Sequence, residues 1–306
     1  VTCAVVFAYH NVGVRCLAVL LAHGIEVPLV FTHEDDAGEN VWFASVARFA
    51  RERDIEVLTA PDPNSPECLA RLRACAPEFV FSFYYRRMLG AALLGTAARG
   101  ALNMHGSLLP KYRGRAPVNW AVVRGERETG ASLHYMTEKP DAGEIVGRER
   151  VPILPDDTAL DVLNKVTVAA ELLLDRLLPE LVAGRAPREP QALAEGSYFG
   201  ARRPEDGLID WRRPAAEIHN LVRGVAPPYP GAFSRLGAGT LKVLRARLGT
   251  RLGPPAAPLL GLDERGLYAR CGDGVALRLL ACELDGAALD PQRFRAELGA
   301  RDLPLA

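Results

Sequence analysis

Over its first hundred or so residues the chain repeats one pattern: a short apolar run, then an amphipathic stretch at helical spacing. The runs "TCAVVFAY" (2–9), "EVPLVFTH" (26–33), "IEVLTAP" (55–61), "FVFSFYY" (79–85) and "ALNMHG" (101–106) read as strands. Between them "VRCLAVLLAHG" (14–24), "NVWFASVARFARERD" (40–54) and "PECLARLRACAP" (66–77) read as helices. Strands separated by helix-length connections cannot be hairpins. They must lie parallel in a sheet covered by helices on both faces, a Rossmann-like α/β arrangement. The first strand-to-helix turn, "FAYHNVGVRC" (7–16), holds only Gly13. No G-x-G-x-x-G and no G-x-x-x-x-G-K-[ST] occurs anywhere, which argues against dinucleotide and P-loop chemistry.

Past Gly130 the pattern changes. "GASLHYMTE" (130–138) and "EIVGRERVPI" (144–153) are two β-like runs around the turn sequence "KPDAG". "DDTALDVLNKVTVAAELLLDRLLPELVAG" (156–184) reads as one long helix, entered through Asp and Thr caps and stopped at Gly184. A Pro-, Gly- and charge-rich connector (185–207) precedes short β runs such as "TLKVLRARLG" and "GLYARCGDGVALRLLACELDG", which predict a small β-barrel. The expected division is 1–202 for the Rossmann-like part and 203–306 for the barrel.

Charge narrows the function classes. Thirty-seven basic residues balance thirty-seven acidic ones. Residues 203–306 carry fifteen Lys and Arg against twelve Asp and Glu, too slight an excess for a nucleic-acid surface. No apolar run approaches the roughly 20 residues of a membrane helix. "VTCAVVFAY" lacks the features of a signal peptide, and the six cysteines form no C-x-x-C and sit in apolar surroundings. The expectation is a cytoplasmic protein with reduced core thiols.

The chemistry gathers in "NMHGSLLPKYRGRAPVNW" (103–120). Asn103 and His105 are two apart at the end of a strand, so both side chains point to one face, at the edge where open α/β sheets bind ligands. An amide can steady an oxygen that becomes negative, and an imidazole can move a proton near neutral pH. A hydrogen-bonded turn would use the same residues. Asp141 has two readings as well: a turn residue, or the carboxylate that orients His105. Spacing alone does not place it. Lys111, Arg113 and Arg115, with Arg86 and Arg87 after another strand, suit a carboxylate or phosphate clamp. His10 lies at a sheet-end turn and can touch a ligand. His23, His33, His134 and His219 read as structural. No H-E-x-x-H or Cys/His grouping exists, so no metal is expected.

Taken in order, Asn-x-His, S-L-L-P-x-x-R-G-x-x-P, E-T-G and D-x-G, as they stand in "NMHGSLLPKYRGRAPVNWAVVRGERETGASLHYM" and "DAGEIV", identify the chain as resembling the 10-formyltetrahydrofolate-dependent formyltransferases. "VVFAYHNVG", "FTHEDDAGE", "FSFYYRRML" and "FGARRPEDGLIDW" extend the resemblance over nearly the whole chain. They point to the branch that formylates the 4-amine of UDP-4-amino-4-deoxy-L-arabinose. The resemblance implies a Rossmann-like domain followed by an OB-like one. It implies 10-formyltetrahydrofolate as donor, a UDP-sugar as acceptor, and in some full-length relatives fusion to a UDP-glucuronate decarboxylase domain. It implies Asn103 as oxyanion stabiliser, His105 as general acid/base and Asp141 as its partner. It implies that Arg87, Met88, Leu89, Arg115, Thr137, Glu138, Lys139, Pro140 and Asp141 line the folate pocket. Two departures stand out, "TEKP" before Asp141 and Tyr229 where that branch carries Trp. Neither touches the trio.

Overall fold

The computed structural model describes residues 1–35, 40–299 and 302–305. The tail of the "FTHEDDAGE" motif, from Asp36 to Glu39, lies outside the described residues. Backbone proximity divides the chain into two compact units. One comprises Val1–Pro117, Glu128–Val151 and Leu163–Gly200, and the other Val118–Arg127, Pro152–Val162 and Ala201–Ala306.

The first unit is built on a seven-stranded sheet. Its strands are β1 (Cys3–Ala8), β2 (Glu26–Phe31), β3 (Glu56–Leu58), β4 (Phe79–Phe83), β5 (Gly100–His105), β7 (Glu128–Tyr135) and β8 (Ile145–Pro152), with the two-residue β6 (Arg113–Gly114) outside it. The order is β3-β2-β1-β4-β5-β7-β8. The first five strands are parallel, as the alternating pattern requires, and β7 runs antiparallel to β5. The strand order reverses between β1 and β4, which opens the crevice where such sheets take ligands.

Alternation along β1 sorts the two faces. Val5 and Phe7 join an apolar cluster with Cys68 and Leu72 of α3 (Pro66–Ala74) and Leu93 of α4 (Ala91–Leu94). Ala4, Val6 and Ala8 face the other way and are fully buried. There α1 (His10–Ala22) packs so closely that a Cβ on Gly13 would come within 3.1 Å of the Ala8 Cβ. The long helix α6 (Ala159–Val182) lays Leu173 and Leu177 against Gly147 of β8 and joins α1 through Arg15–Glu171 and His23–Asp175. Thr158 and Asp161 cap its start reciprocally, and Arg99 donates to the carbonyls of Leu181 and Val182 at its end. Pro179 lies inside this helix without ending it.

One expectation needs correcting. The amphipathic stretch from Asn40 predicts a helix of about four turns, yet α2 spans only Val46–Arg51, capped by the Ser45 hydroxyl on the Arg48 N–H. Trp42 and Phe43 are drawn out of that pattern into rings around Tyr9 and His10, with His10–Phe43 centroids 4.2 Å apart. Tertiary packing has overridden local periodicity.

In the second unit β10 (Ala232–Leu236), β11 (Gly239–Arg251), β12 (Leu259–Asp263), β13 (Gly266–Arg270), β14 (Val275–Leu284) and β16 (Leu303–Pro304) form an antiparallel sheet in the order β10-β11-β14-β13-β12-β16. The short strands β9 (Tyr198–Phe199) and β15 (Ala287–Ala288) pair with β6 and β14. Two further helices are α5 (Pro117–Val123) and α7 (Ala215–Gly224). Trp211 and Phe294 centre the core of this small barrel-like subdomain, and the Trp211 indole N–H donates to Ser234. All six cysteines are free thiols. No helix among the described residues is long and apolar enough to cross a membrane.

Candidate active site

Asn103 and His105 sit on the face of β5 that carries Ala101 into the apolar cluster, at the strand's carboxyl end. Register fixes what lies opposite. Asn103 pairs with His134 and His105 with Ser132 on β7. Directly opposed residues share a face, so His134 is delivered beside Asn103. Asp141 then returns from the loop after β7 in a left-handed conformation, φ 50°.

The carboxylate of Asp141 is the hub. Its Oδ1 lies 3.4 Å from Asn103 Nδ2, 3.5 Å from His105 Nδ1 and 3.5 Å from His134 Nε2. Its Oδ2 accepts the Gly114 N–H at 2.8 Å. Burial pushes the carboxyl's pKa upward. When protonated, His105 and His134 add their charges and His134 a hydrogen bond, and with the Gly114 N–H these outweigh burial and hold the carboxyl well below the usual carboxylate range. The loop is braced from behind by Gln191, whose amide donates to the carbonyls of Asp141 (3.0 Å) and Gly143 (2.6 Å).

The buried His105 ring presents a defined nitrogen. Its Nε2 lies 2.8 Å from the Tyr112 carbonyl oxygen, which can only accept, so Nε2 carries a hydrogen. Nδ1, facing Asp141, is therefore the nitrogen free to exchange a proton. Tyr112 reaches this position with φ 57°, and Gly114 with φ 95°. Left-handed backbone at non-glycine residues costs energy and recurs at functional turns. Here Tyr84, Tyr112, Ala116 and Asp141 all adopt it.

Gly114 is irreplaceable for a measurable reason. A Cβ there would stand 2.2 Å from the Phe199 carbonyl oxygen, on a backbone that side chains rarely adopt. Gly114→Ala should cost about 1–3 kcal/mol and displace the N–H that Asp141 accepts. Thermal unfolding and turnover together check this. An unchanged melting point with full turnover would show that the loop accommodates the methyl group.

The expected folate residues come from three segments. Leu89 is buried in the cluster that also includes Leu93, Leu94 and Met136, while Arg87 and Met88 are exposed. Arg115 donates to the Arg86 carbonyl at 2.8 Å, tying the 113–115 turn to the 86–89 segment, and Gly114 ties that turn to Asp141. Thr137 folds its hydroxyl onto the Lys139 carbonyl, with Glu138 and Lys139 exposed and Pro140 half-buried. The cations of "KYRGR" do not act as one clamp. Arg113 turns inward to the Leu193 carbonyl, whereas Lys111 and Arg115 stay at the surface. A cavity of about 600 Å³ lies beside the same loop, lined by Leu94, Ala101, Met136, Thr137 and Gln191 among others. Of the expected folate residues only Thr137 borders it.

His10 is buried among Trp42, Phe43 and Tyr84, and His33 stacks on Tyr85 while accepting the Arg86 N–H. His134 and Gln191 are the residues that sequence reasoning missed. Counting opposite β5 in antiparallel register would have found His134, had the pairing been known. Nothing local marks Gln191. Among the described residues no group of His, Cys, Asp and Glu could hold a metal ion.

Residues 20–178 match the family described as "Formyl transferase", and residues 202–297 match "Formyl transferase, C-terminal domain". The chain belongs to the formyl transferase family. It is a formyltransferase, and Asn103, His105 and Asp141 lie within residues 20–178, the stretch that matches the first of these family models. Solved structures share the fold of this formyltransferase. One is the N-formyltransferase from Helicobacter canadensis, solved with folinic acid and dTDP-3-aminofucose. It is 21% identical with a TM-score of 0.72, and the match covers 91% of this chain and 98% of that one. Another is WlaRD, a sugar 3N-formyl transferase solved in the presence of dTDP and 5-N-formyl-THF, at 19% identity and TM-score 0.71, covering 95% and 98%. A 4-N formyltransferase from Francisella tularensis matches at 20% identity and TM-score 0.62, covering 76% and 91%.

Proposed function

We propose that the enzyme transfers the formyl group of 10-formyltetrahydrofolate to the 4-amine of UDP-4-amino-4-deoxy-L-arabinose. The observation that carries the transfer chemistry is the convergence of Asn103, His105 and Asp141 on one point at the carboxyl edge of the sheet. The donor's needs match the residues present. Leu89, Leu94 and Met136 offer an apolar wall for a flat ring, the loop 137–141 offers main-chain groups, and Arg87 and Arg115 offer cations for carboxylates. 10-Formyltetrahydrofolate, when bound, supplies a formyl carbon on N10 that an unprotonated amine can attack. Asn103 Nδ2 steadies the formyl oxygen as it gains charge. His105 accepts the amine's proton at Nδ1 and returns it to the departing N10, while its Nε2–H stays on the Tyr112 carbonyl. The Tyr112 carbonyl holds the ring in that tautomer, and Asp141 balances the imidazolium that forms between the two transfers.

The choice of sugar rests on sequence. "FAYHNVG", "FSFYYRRML" and "HGSLLPKYRGRAPVNW" resemble the formyltransferase domain of the bifunctional polymyxin-resistance protein ArnA, which modifies the sugar destined for lipid A. A second reading, a different nucleotide-sugar N-formyltransferase, is favoured by the similar folds solved with dTDP or a dTDP-sugar. Transfer to methionyl-tRNA is disfavoured by the small basic excess of residues 203–306. Incubation with the formyl donor and a panel of UDP-4-amino-arabinose, dTDP-4-amino-sugars and Met-tRNA separates the three. Preferred formylation of the UDP-sugar is expected, and formylation of tRNA alone would overturn the assignment.

A further inference from the structure

His134 is 1% exposed and lies within reach of two members of the trio, yet neither proton transfer uses it. Its Nδ1 is 2.8 Å from the Tyr135 carbonyl oxygen. A carbonyl accepts and never donates, so Nδ1 must carry the hydrogen. In the neutral ring Nε2 is then a bare acceptor. That acceptor stands 3.1 Å from Asn103 Nδ2, a normal hydrogen-bond length. The Nε2–Asp141 Oδ1 separation, 3.5 Å, is longer, so in the neutral ring the nearer partner of Nε2 is the Asn103 amide.

We infer that His134 is a positioning residue that fixes which end of the Asn103 amide faces the reacting oxygen. An amide has two ends of nearly identical shape and opposite character. Turned over, Asn103 would present its carbonyl oxygen where negative charge develops, and would repel what it should hold. His134 acts against that rotamer together with Asp141, because a flipped Asn103 would set its oxygen against a bare ring nitrogen at 3.1 Å and a carboxylate oxygen at 3.4 Å. One hydrogen of Nδ2 is committed to His134. The other points along the longer 3.4 Å contact to Asp141 Oδ1, which leaves it to be shared with the formyl oxygen. The arrangement mirrors His105. Each ring is locked by a main-chain carbonyl, but His105 leaves Nδ1 to the site and His134 leaves Nε2. This inference rests on the formyl-transfer reading of Asn103.

The test compares His134→Gln, His134→Asn and His134→Ala, alone and combined with Asn103→Ala. Gln can place its amide oxygen where Nε2 stood. Asn can keep the donor to the Tyr135 carbonyl but cannot reach Asn103. His134→Asn and His134→Ala should lower kcat about tenfold, the effect of one hydrogen bond, with KM for the donor little changed. His134→Gln should recover most of that loss. In the Asn103→Ala background the same His134 changes should do nothing further, since there is no amide left to orient. Equal losses in both backgrounds, or a Gln variant no better than Asn, would overturn the role. Should His134→Ala fail to fold, the Gln and Asn pair decides alone. If Asn103→Ala itself keeps near-normal turnover, the formyl-transfer reading fails first and this one with it. An Asn103→Ala variant that loses activity while His134 effects stay additive sinks only the positioning role.

Discussion

Asp141→Asn should reduce turnover by roughly 10³–10⁴, the scale seen when a carboxylate that orients a catalytic imidazole is replaced by its amide. The substitution is nearly isosteric, so the loop and its Gln191 brace remain. What changes is polarity at the hub. If the new amide turns its NH₂ toward Oδ1's position, it faces the donor on Asn103. If it turns it toward Oδ2's position, it faces the Gly114 N–H. One good contact is lost either way, and no charge remains to balance His105 as it becomes cationic. Turnover at saturating donor and acceptor measures the loss, and a variant within tenfold of the parent would show that the carboxylate is not the orienting group. Stability should respond to pH in a defined sense. Because folding holds the Asp141 carboxyl below its ordinary value of about 3.9, its contribution is complete above that value and fades as pH falls through the lower folded one. The stability gap between the parent and Asp141→Asn should therefore close as pH falls into the acid range. A gap that persists unchanged into acid would contradict the pairing.

Asn103→Ala should cost about 10²–10³ in turnover, the usual effect of removing one oxyanion donor, with a smaller change in substrate KM. The side chain is short and lies at a strand end, so the loss reads chemistry more than folding. It also leaves Asp141 without its amide neighbour and His134 Nε2 without a donor, although His105 and Gly114 still hold the carboxylate. Near-normal turnover in this variant would remove the amide from the mechanism.

Much of the architecture was readable before any coordinates. Period-2 and period-3.6 runs are local, and five parallel strands with helices between them follow from those periods alone. The helix expected from Asn40 shows the limit. Trp42 and Phe43 lie inside the amphipathic stretch, but their rings pack around Tyr9 and His10, and no local pattern reports that. The site divides in the same way. Asn103 and His105 are two apart on one strand, so their shared face is legible. Asp141 joined them only through family resemblance, because a loop's destination is not written in its spacing. His134 looked like core packing, since a buried histidine on a strand is indistinguishable from a partner until the neighbouring strand is known. Gln191, fifty residues beyond the carbonyl it holds, is a tertiary brace with no local signature.

The antiparallel match of Asn103 with His134 also says where this enzyme is sensitive to change. Between β5 and β7 the chain leaves to contribute residues 118–127 to the second unit, then returns to the same register. Side chains alternate along a strand, so a slip of one residue on return would turn His134 away and place Leu133 or Tyr135 against the amide. The excursion is itself packed: Val118, Asn119, Ala121 and Val122 are buried, and the Asn119 amide donates to the Gly224 carbonyl. The spacing of the reacting groups is therefore set by two strands that must meet in one phase after a detour that has its own core to fill.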